Sequence, residues 1–433
     1  MLILFNMIKP EYLIIAGLSI IIIISFIFNY ISRKTSIPSV LLLMVLGISL
    51  QYLIPDITQN KSIFELLIII GKMGLILIVL EAALDLKIKK DEIGLIVRAF
   101  IAALIILIVS SFAIAFILQY FLEATFFNAF VYAVPLSVMS SAIVIPSVSS
   151  LSHYKKEFMI YESAFSDILG IILFQFLLNS ENYYSVSQIA FSLFSNIFIT
   201  LIVAVVFGYI TVWGIQKLTS HVKLFLIIAV LMLVYAIGSI FHLSSLIIIL
   251  VFGIILNNSD LFFKGKLEQL IDKERIKEEY KGFYIVTLES SFLLRTVFFV
   301  MFGVTISLAS LTNLKVAEIS FLIIVALYLV RFIFLKIILW KKTVFPEVFT
   351  SPRGLITVLL FYSIPNDFKI ENFDQGIIMY IIIATSVIMT FALIWNKRKT
   401  RKLKILLDEY NKIQKDITDI AEESFTADDS IVK

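Results

Sequence analysis

The chain has 433 residues, 60% of them hydrophobic and only 16% charged, with a formal net charge of +4. So apolar a chain reads as a polytopic α-helical membrane protein rather than a soluble domain, its 39 phenylalanines supplying lipid-facing and helix-contact surface. It contains no cysteine, which excludes disulfides, thiolate metal sites and cysteine nucleophiles.

Runs of about 17–25 apolar residues predict about thirteen membrane spans. In chain order they cover 11–31, 37–54, 62–84, 95–121, 126–150, 157–178, 187–215, 222–241, 243–257, 284–308, 316–340, 346–365 and 375–396. Met1–Pro10 lacks a basic start and the first run is long enough to span, so no cleavable signal peptide is expected. The ninth run is short and reads as tilted or partly sunken.

Charge in the loops gives the orientation. Loops after odd-numbered spans hold Arg33 and Lys34; Lys87, Lys89 and Lys90; Lys155 and Lys156; Lys217 and Lys223; the stretch Lys264–Lys281; then Lys341 and Lys342. The tail continues the series from Lys397, whereas loops after even-numbered spans hold little beyond Lys61, Lys315 and Lys369. The positive-inside rule then puts the N-terminus outside and the C-terminus in the cytoplasm, as an odd span count requires. The expected location is a bacterial-type inner (plasma) membrane.

Two stretches are soluble. Residues 259–283 alternate Leu, Ile and Phe with Lys and Glu, predicting an amphipathic cytoplasmic helix on the membrane surface. The tail, 397–433, reads as helical to about Ala421 and disordered beyond it.

Spans 5 and 12 depart from simple apolar runs: one holds Ser140, Ser141 and Pro146, the other Ser351, Pro352, Arg353 and Gly354. They are seven spans apart, the separation expected if spans 1–6 and 8–13 are two inverted six-helix copies around span 7. Paired broken helices in opposite halves point to a transporter's midplane site.

Span 6 carries the most informative residues. A bare carboxylate in a bilayer costs at least about 2.5–3.5 kcal/mol on insertion scales, yet this span contains Glu162 and Asp167. Counted from Glu157, Asp167 lies about 15 Å deep and Glu162 about 8 Å, at about 1.5 Å per residue. Desolvation disfavours the charged carboxylate, so a proton and a small cation can compete for Asp167. Na⁺, K⁺ and Li⁺ are hard ions that take oxygen ligands. Ser166, Ser140, Ser141 and the freed carbonyls of a broken span 5 would join Asp167 in supplying them. Arg331 and Arg353 fall near the depth of Glu162, which is assigned to a structural ion pair with one or both. Glu81 and Asp85 either join that cluster or face cytoplasmic water. Arg295 falls near the depth of Asp167 and either tunes it or pairs with Glu289. Lys72 has no functional reading and can snorkel outwards.

His153, His221 and His242 lie at span edges without ligand spacing, and no phosphate loop, nucleotide fingerprint or nucleophile motif is present. No resident cofactor, nucleic-acid partner or enzymatic activity is expected.

At these residues the chain resembles the monovalent cation:proton antiporter superfamily, which includes the sodium/hydrogen exchangers. Glu162-Ser163-Ala164-Phe165-Ser166-Asp167 is similar to that family's Glu-Ser-x-x-Asn-Asp motif. Ile37-Pro38-Ser39-Val40 with Gly47 resembles its second-span opening, and Leu80-Glu81-Ala82-Ala83-Leu84-Asp85-Leu86 the end of its third span. Phe298-Phe299-Val300-Met301-Phe302-Gly303 and Ser351-Pro352-Arg353-Gly354 resemble the signatures of spans 10 and 12. The resemblance implies a homodimer. Spans 1–3 and 8–10 form its dimerisation part, and spans 4–6 and 11–13 a core that moves like an elevator. It implies Asp167 as the ion- and proton-binding carboxylate, and Glu162, Arg331 and Arg353 as a stabilising network. Electroneutral members carry Asn-Asp and electrogenic ones Asp-Asp; with Ser166 in the first position, one-for-one electroneutral exchange is expected. Ser140-Ser141-Ala142 stands where sodium-selective relatives often have Thr-Asp and is more similar to the Ser-Ser-Thr-Ala pattern of potassium-efflux relatives. Na⁺ versus K⁺ thus stays open, with Na⁺ the first choice and K⁺ the second. The competing readings are an organic-anion/Na⁺ symporter on a related inverted-repeat fold and a passive cation channel, though no filter-like carbonyl loop is visible.

Overall fold

A computed structural model of the chain describes residues 10–35, 37–53, 61–88, 90–178, 186–218, 223–240, 245–305, 312–340 and 343–401. The readings of His221, His242, Lys341, Lys342 and the tail beyond Arg401 lie outside those residues.

The described chain is all helix and connection. Its helices are α1 (Pro10–Thr35), α2 (Ser39–Leu53), α3 (Lys61–Asp85), α4 (Ile93–Leu122), α5 (Phe126–Ser137) and α6 (Ser141–Ser147). After them come α7 (His153–Leu178), α8 (Val186–Ile215), α9 (Lys223–Ile240), α10 (Ser245–Asn257) and α11 (Lys273–Thr305). The last three are α12 (Leu314–Ile338), α13 (Leu355–Tyr362) and α14 (Gly376–Arg401). Among the described residues, nine helices are long and apolar enough to cross a membrane, α5 and α6 counting as one. The other expected spans are shorter or more charged. Both α2 and α10 are short apolar helices, α3 carries Lys72, Glu81 and Asp85, and span 12 is helical over only eight residues.

The charged stretch 259–283 is not one surface helix. Its first half is a single helical turn, Ser259–Phe262, and a 3₁₀ segment, Gly265–Leu270. Its second half forms the opening turns of the 33-residue α11. No proline interrupts Lys273–Thr305, so the span-forming helix extends beyond its apolar part.

Contacts divide the helices into two groups. In one, α4 packs on α5, α7 and α12; in the other, α11 packs on α2 and α3, and α10 on α8, α3 and α9. Helix α13 packs on α5 of the first and on α3 of the second. Helix α4 shows why: Ala99, Ala102, Ala103, Ser110, Ser111 and Ala115 form a buried small-residue stripe. Phe100, Phe112, Phe116 and Tyr120 stay exposed beside it, the first three in ring contact with Phe165, Phe126 or Phe130. Small residues let neighbouring backbones close in where lipid supplies no hydrophobic drive. Gly47 and Gly303 do the same for α2 and α11, since a Cβ on either would collide with backbone of the other.

Loops that follow odd-numbered spans meet at one end of the bundle. There the Tyr161 hydroxyl donates to the Lys87 carbonyl at 2.8 Å and the Asp272 N–H to Gln216 Oε1 at 2.9 Å. At the other end Phe127 lies tilted against Phe368, ring centroids 5.8 Å apart, and the Ile370 N–H donates to the Tyr132 hydroxyl at 3.2 Å.

Candidate ion site

The site forms where two interrupted stretches meet α7. Helix α5 contains Pro135 and ends at Ser137, followed by extended backbone at Val138 and Ser140 before α6 begins. On the other side, a turn over 345–349 leads to non-helical backbone through Gly354, and α13 starts at Leu355.

An interruption this deep leaves backbone groups that must find partners, because each unsatisfied one costs several kcal/mol. Three consecutive N–H groups do so in three directions. Met139 donates to Ser166 Oγ at 2.9 Å, Ser140 to the Pro352 carbonyl at 2.9 Å, and Ser141 to Asp167 Oδ2 at 3.0 Å. Adjacent residues of α7 thus hold both sides of the gap, and the second interruption holds its middle.

The freed carbonyls of α5 are taken by Arg353. Its Nε donates to the Leu136 carbonyl at 3.0 Å and its Nη2 to the Ser137 carbonyl at 3.1 Å. The guanidinium also reaches the carbonyl and hydroxyl of Ser351. A cation at the C-terminal end of a helix is favoured by the helix dipole. The Arg353 N–H is fixed by Thr385 Oγ1 of α14 at 3.1 Å.

Asp167 is 3% exposed, and while its Oδ2 is bound to Ser141, its Oδ1 has no hydrogen-bond partner. A buried carboxylate oxygen without a protein partner is uncommon and is satisfied by a proton, a cation or a water. Ser141 and Ala142 also line a cavity of about 490 Å³ bounded by α1, α3 and α11. Glu81, Asp85, Tyr284 and Arg295 line it as well.

The remaining charges separate into two clusters. Glu162, 1% exposed, is clasped by Arg331 in a two-pronged pair of 2.7 and 2.8 Å. Arg331 also donates twice to the Glu347 carbonyl, at 3.1 Å each. No hydrogen bond links Arg353 to Glu162 among the described contacts, because the carbonyls of α5 occupy that guanidinium. Glu81 and Asp85 do not join this network. They sit at the end of α3, which packs on α11, so Glu81 accepts from Ser291 and lies 3.8 Å from Arg295, and Asp85 accepts from Tyr284 at 2.8 Å. Arg295 reaches over to the Ala142 carbonyl at 3.5 Å instead of pairing with Glu289.

Of the expected oxygen ligands, Ser141 lines the cavity, and Asp167 stands behind it, joined through the Ser141 N–H. The Ser166 hydroxyl is engaged with Met139, and Ser140 Oγ is packed against Gly354, where an added Cβ would lie 2.7 Å from it. Sequence reasoning missed Glu347 and Lys155, joined at 2.8 Å; a carboxylate inside an apolar run was the available signal. Among the described residues no group of three or more His, Cys, Asp or Glu could hold a metal ion.

A family model described as "Sodium/hydrogen exchanger, transmembrane" matches residues 20–397. Two solved structures of the sodium proton antiporter MjNhaP1 from Methanocaldococcus jannaschii share the fold. The structure at pH 8 has a TM-score of 0.63 at 22% identity, covering 90% of this chain and 96% of that one. The electron-microscopy structure has a TM-score of 0.63 at 20% identity, covering 92% and 98%. The search of curated proteins returned no match.

Proposed function

The chain belongs to the transmembrane sodium/hydrogen exchanger family, multi-pass secondary antiporters rather than enzymes, and from that premise we propose that it exchanges Na⁺ for H⁺ one for one. K⁺ is the second choice of cation. The observation that carries the proposal is Asp167: buried, unpartnered at one oxygen and bound at the other to Ser141, which lines a cavity. A proton on Oδ1 neutralises the carboxylate, and so does a monovalent cation completed by the Ser141 hydroxyl, backbone carbonyls and water. One carboxylate cannot hold both, so each face of the membrane trades one for the other without net charge movement.

In this reading the bundle has thirteen spans, with the N-terminus outside and the cavity open to the cytoplasm of a cell whose plasma membrane holds the protein. Spans 5 and 12 are the broken crossing helices of two inverted repeats. The division of contacts supports a core of spans 4–6 and 11–13 carrying Asp167 past spans 1–3 and 8–10, which pair two copies. Ser166 acts here by holding Met139, and Ser140 by meeting Pro352. Glu162 with Arg331, and Arg353 on α5, keep the core rigid as it moves. Glu81, Asp85 and Arg295 line the approach.

Proton movement in sealed vesicles tests it. With the membrane potential clamped, a Na⁺ pulse is expected to move protons at a rate independent of the potential, and K⁺ and Li⁺ pulses rank the selectivity. No proton movement with any of the three ions contradicts the reading.

A further inference from the structure

A lysine at the cytoplasmic edge of a membrane helix is ordinarily solvated and serves orientation. Lys155 is placed otherwise. It opens α7, and its side chain is 22% exposed while that of Glu347 is 3% exposed. Its ammonium donates to Glu347 Oε2 at 2.8 Å, the Phe345 carbonyl at 2.6 Å and the Thr343 carbonyl at 3.1 Å. The compact cation thus meets acceptors on Thr343, Phe345 and Glu347, in and just ahead of one turn.

That turn is gripped a second time. The Glu347 carbonyl accepts from Arg331, whose guanidinium clasps Glu162 of α7. Lys155 and Glu162 are about 10 Å apart along the helix at about 1.5 Å per residue. The turn is therefore tied to α7 at two heights, directly through Lys155 and through Arg331. Immediately after it come Pro352, whose carbonyl receives Ser140, and Arg353, which caps α5. The register of the turn on α7 fixes where those groups meet the gap beside Asp167.

We propose that Lys155 and Glu347 are a positioning pair for exchange: they set the height of the twelfth span on α7, and with it the shape of the ion site. Neither touches the cation. The inference rests on the exchange reading for its kinetic consequence, and its structural consequence stands apart from it.

Full-length wild type, Lys155→Arg, Lys155→Met and Lys155→Met/Glu347→Gln are compared by the apparent KM for Na⁺ and K⁺ in vesicles and by hydrogen–deuterium exchange over 343–354. Lys155→Arg keeps the donors and is expected to stay near wild type. Lys155→Met is expected to raise the apparent KM about tenfold, the change that about 1.4 kcal/mol of misplacement gives, and to lose protection over 343–354. The double variant removes the stranded carboxylate, so it covers the case in which Lys155→Met does not fold. If the double variant folds with a raised KM and an unprotected segment, the pair positions the site. Wild-type KM and protection in a folded Lys155→Met or double variant overturn the proposal. If the wild type moves no protons, the exchange reading fails on its own, and protection of 343–354 decides the positioning role alone: lost on substitution it stands, retained it falls.

Discussion

The N–H of Ser140 donates to the carbonyl of Pro352 at 2.9 Å, so the break between α5 and α6 meets the non-helical stretch ahead of α13 backbone to backbone. The bond uses no side chain, and it places the Ser141 N–H, one residue on, against Asp167. A carboxylate held by one oxygen and left open at the other then results from how two breaks are joined.

The junction leaves no room beside it. A Cβ at Gly354 would lie 2.7 Å from Ser140 Oγ and 2.8 Å from Ile143 Cδ1. Gly354→Ala is expected to cost about 1–3 kcal/mol, as overpacking does. Thermal unfolding in detergent checks this; an unchanged midpoint with full exchange activity would show that the junction yields.

Ser166 acts as an acceptor. Ser166→Ala strands the buried Met139 N–H, at a cost of about 1–3 kcal/mol. Ser166→Asn supplies a carbonyl in its place and is expected to lose less. The two unfolding curves give the order, and equal losses would remove the assigned role.

The Glu162–Arg331 pair is expected to behave as a closed unit. Replacing one partner leaves a buried charge, so Glu162→Gln or Arg331→Met should destabilise by about 3–5 kcal/mol. Glu162→Gln/Arg331→Met should recover much of that, less what Arg331 gave to the Glu347 carbonyl. A double-mutant cycle on purified protein measures the coupling; additive losses would contradict a direct pair.

Competition at Asp167 has a pH signature. Acid fills the site with protons, so the apparent KM for the cation should rise as pH falls, by roughly tenfold per unit once the carboxyl is mostly protonated. The maximal rate at saturating cation should hold on the same face. Initial rates over a grid of pH and cation concentration check it; a falling maximal rate at constant KM would place the titrating group elsewhere.

Much of this was legible because charge inside apolar runs is expensive and therefore conspicuous. Glu162, Asp167, Arg331 and Arg353 stand out on that ground alone, and the resemblance they carry is to the family that matches residues 20–397. Depth counting could not choose Glu162's partner. Arg331 and Arg353 fall at similar heights, and only the freed carbonyls of α5 decide that Arg353 is spent there. For Glu81 and Asp85 the sequence leaves that cluster and cytoplasmic water both open, because it gives depth along a helix and not which neighbour a residue faces. The bonds that shape the gap come from the N–H groups of Met139, Ser140 and Ser141, and backbone donors leave no mark in residue identity.

Proton release on cation binding tests the central claim most directly. Purified protein in weakly buffered detergent is titrated with Na⁺, K⁺ and Li⁺ while the solution pH is followed, in wild type and in Asp167→Asn. The expected result is one proton released per cation bound in wild type and none in the variant. Equal release from both proteins would mean that cation and proton do not share Asp167.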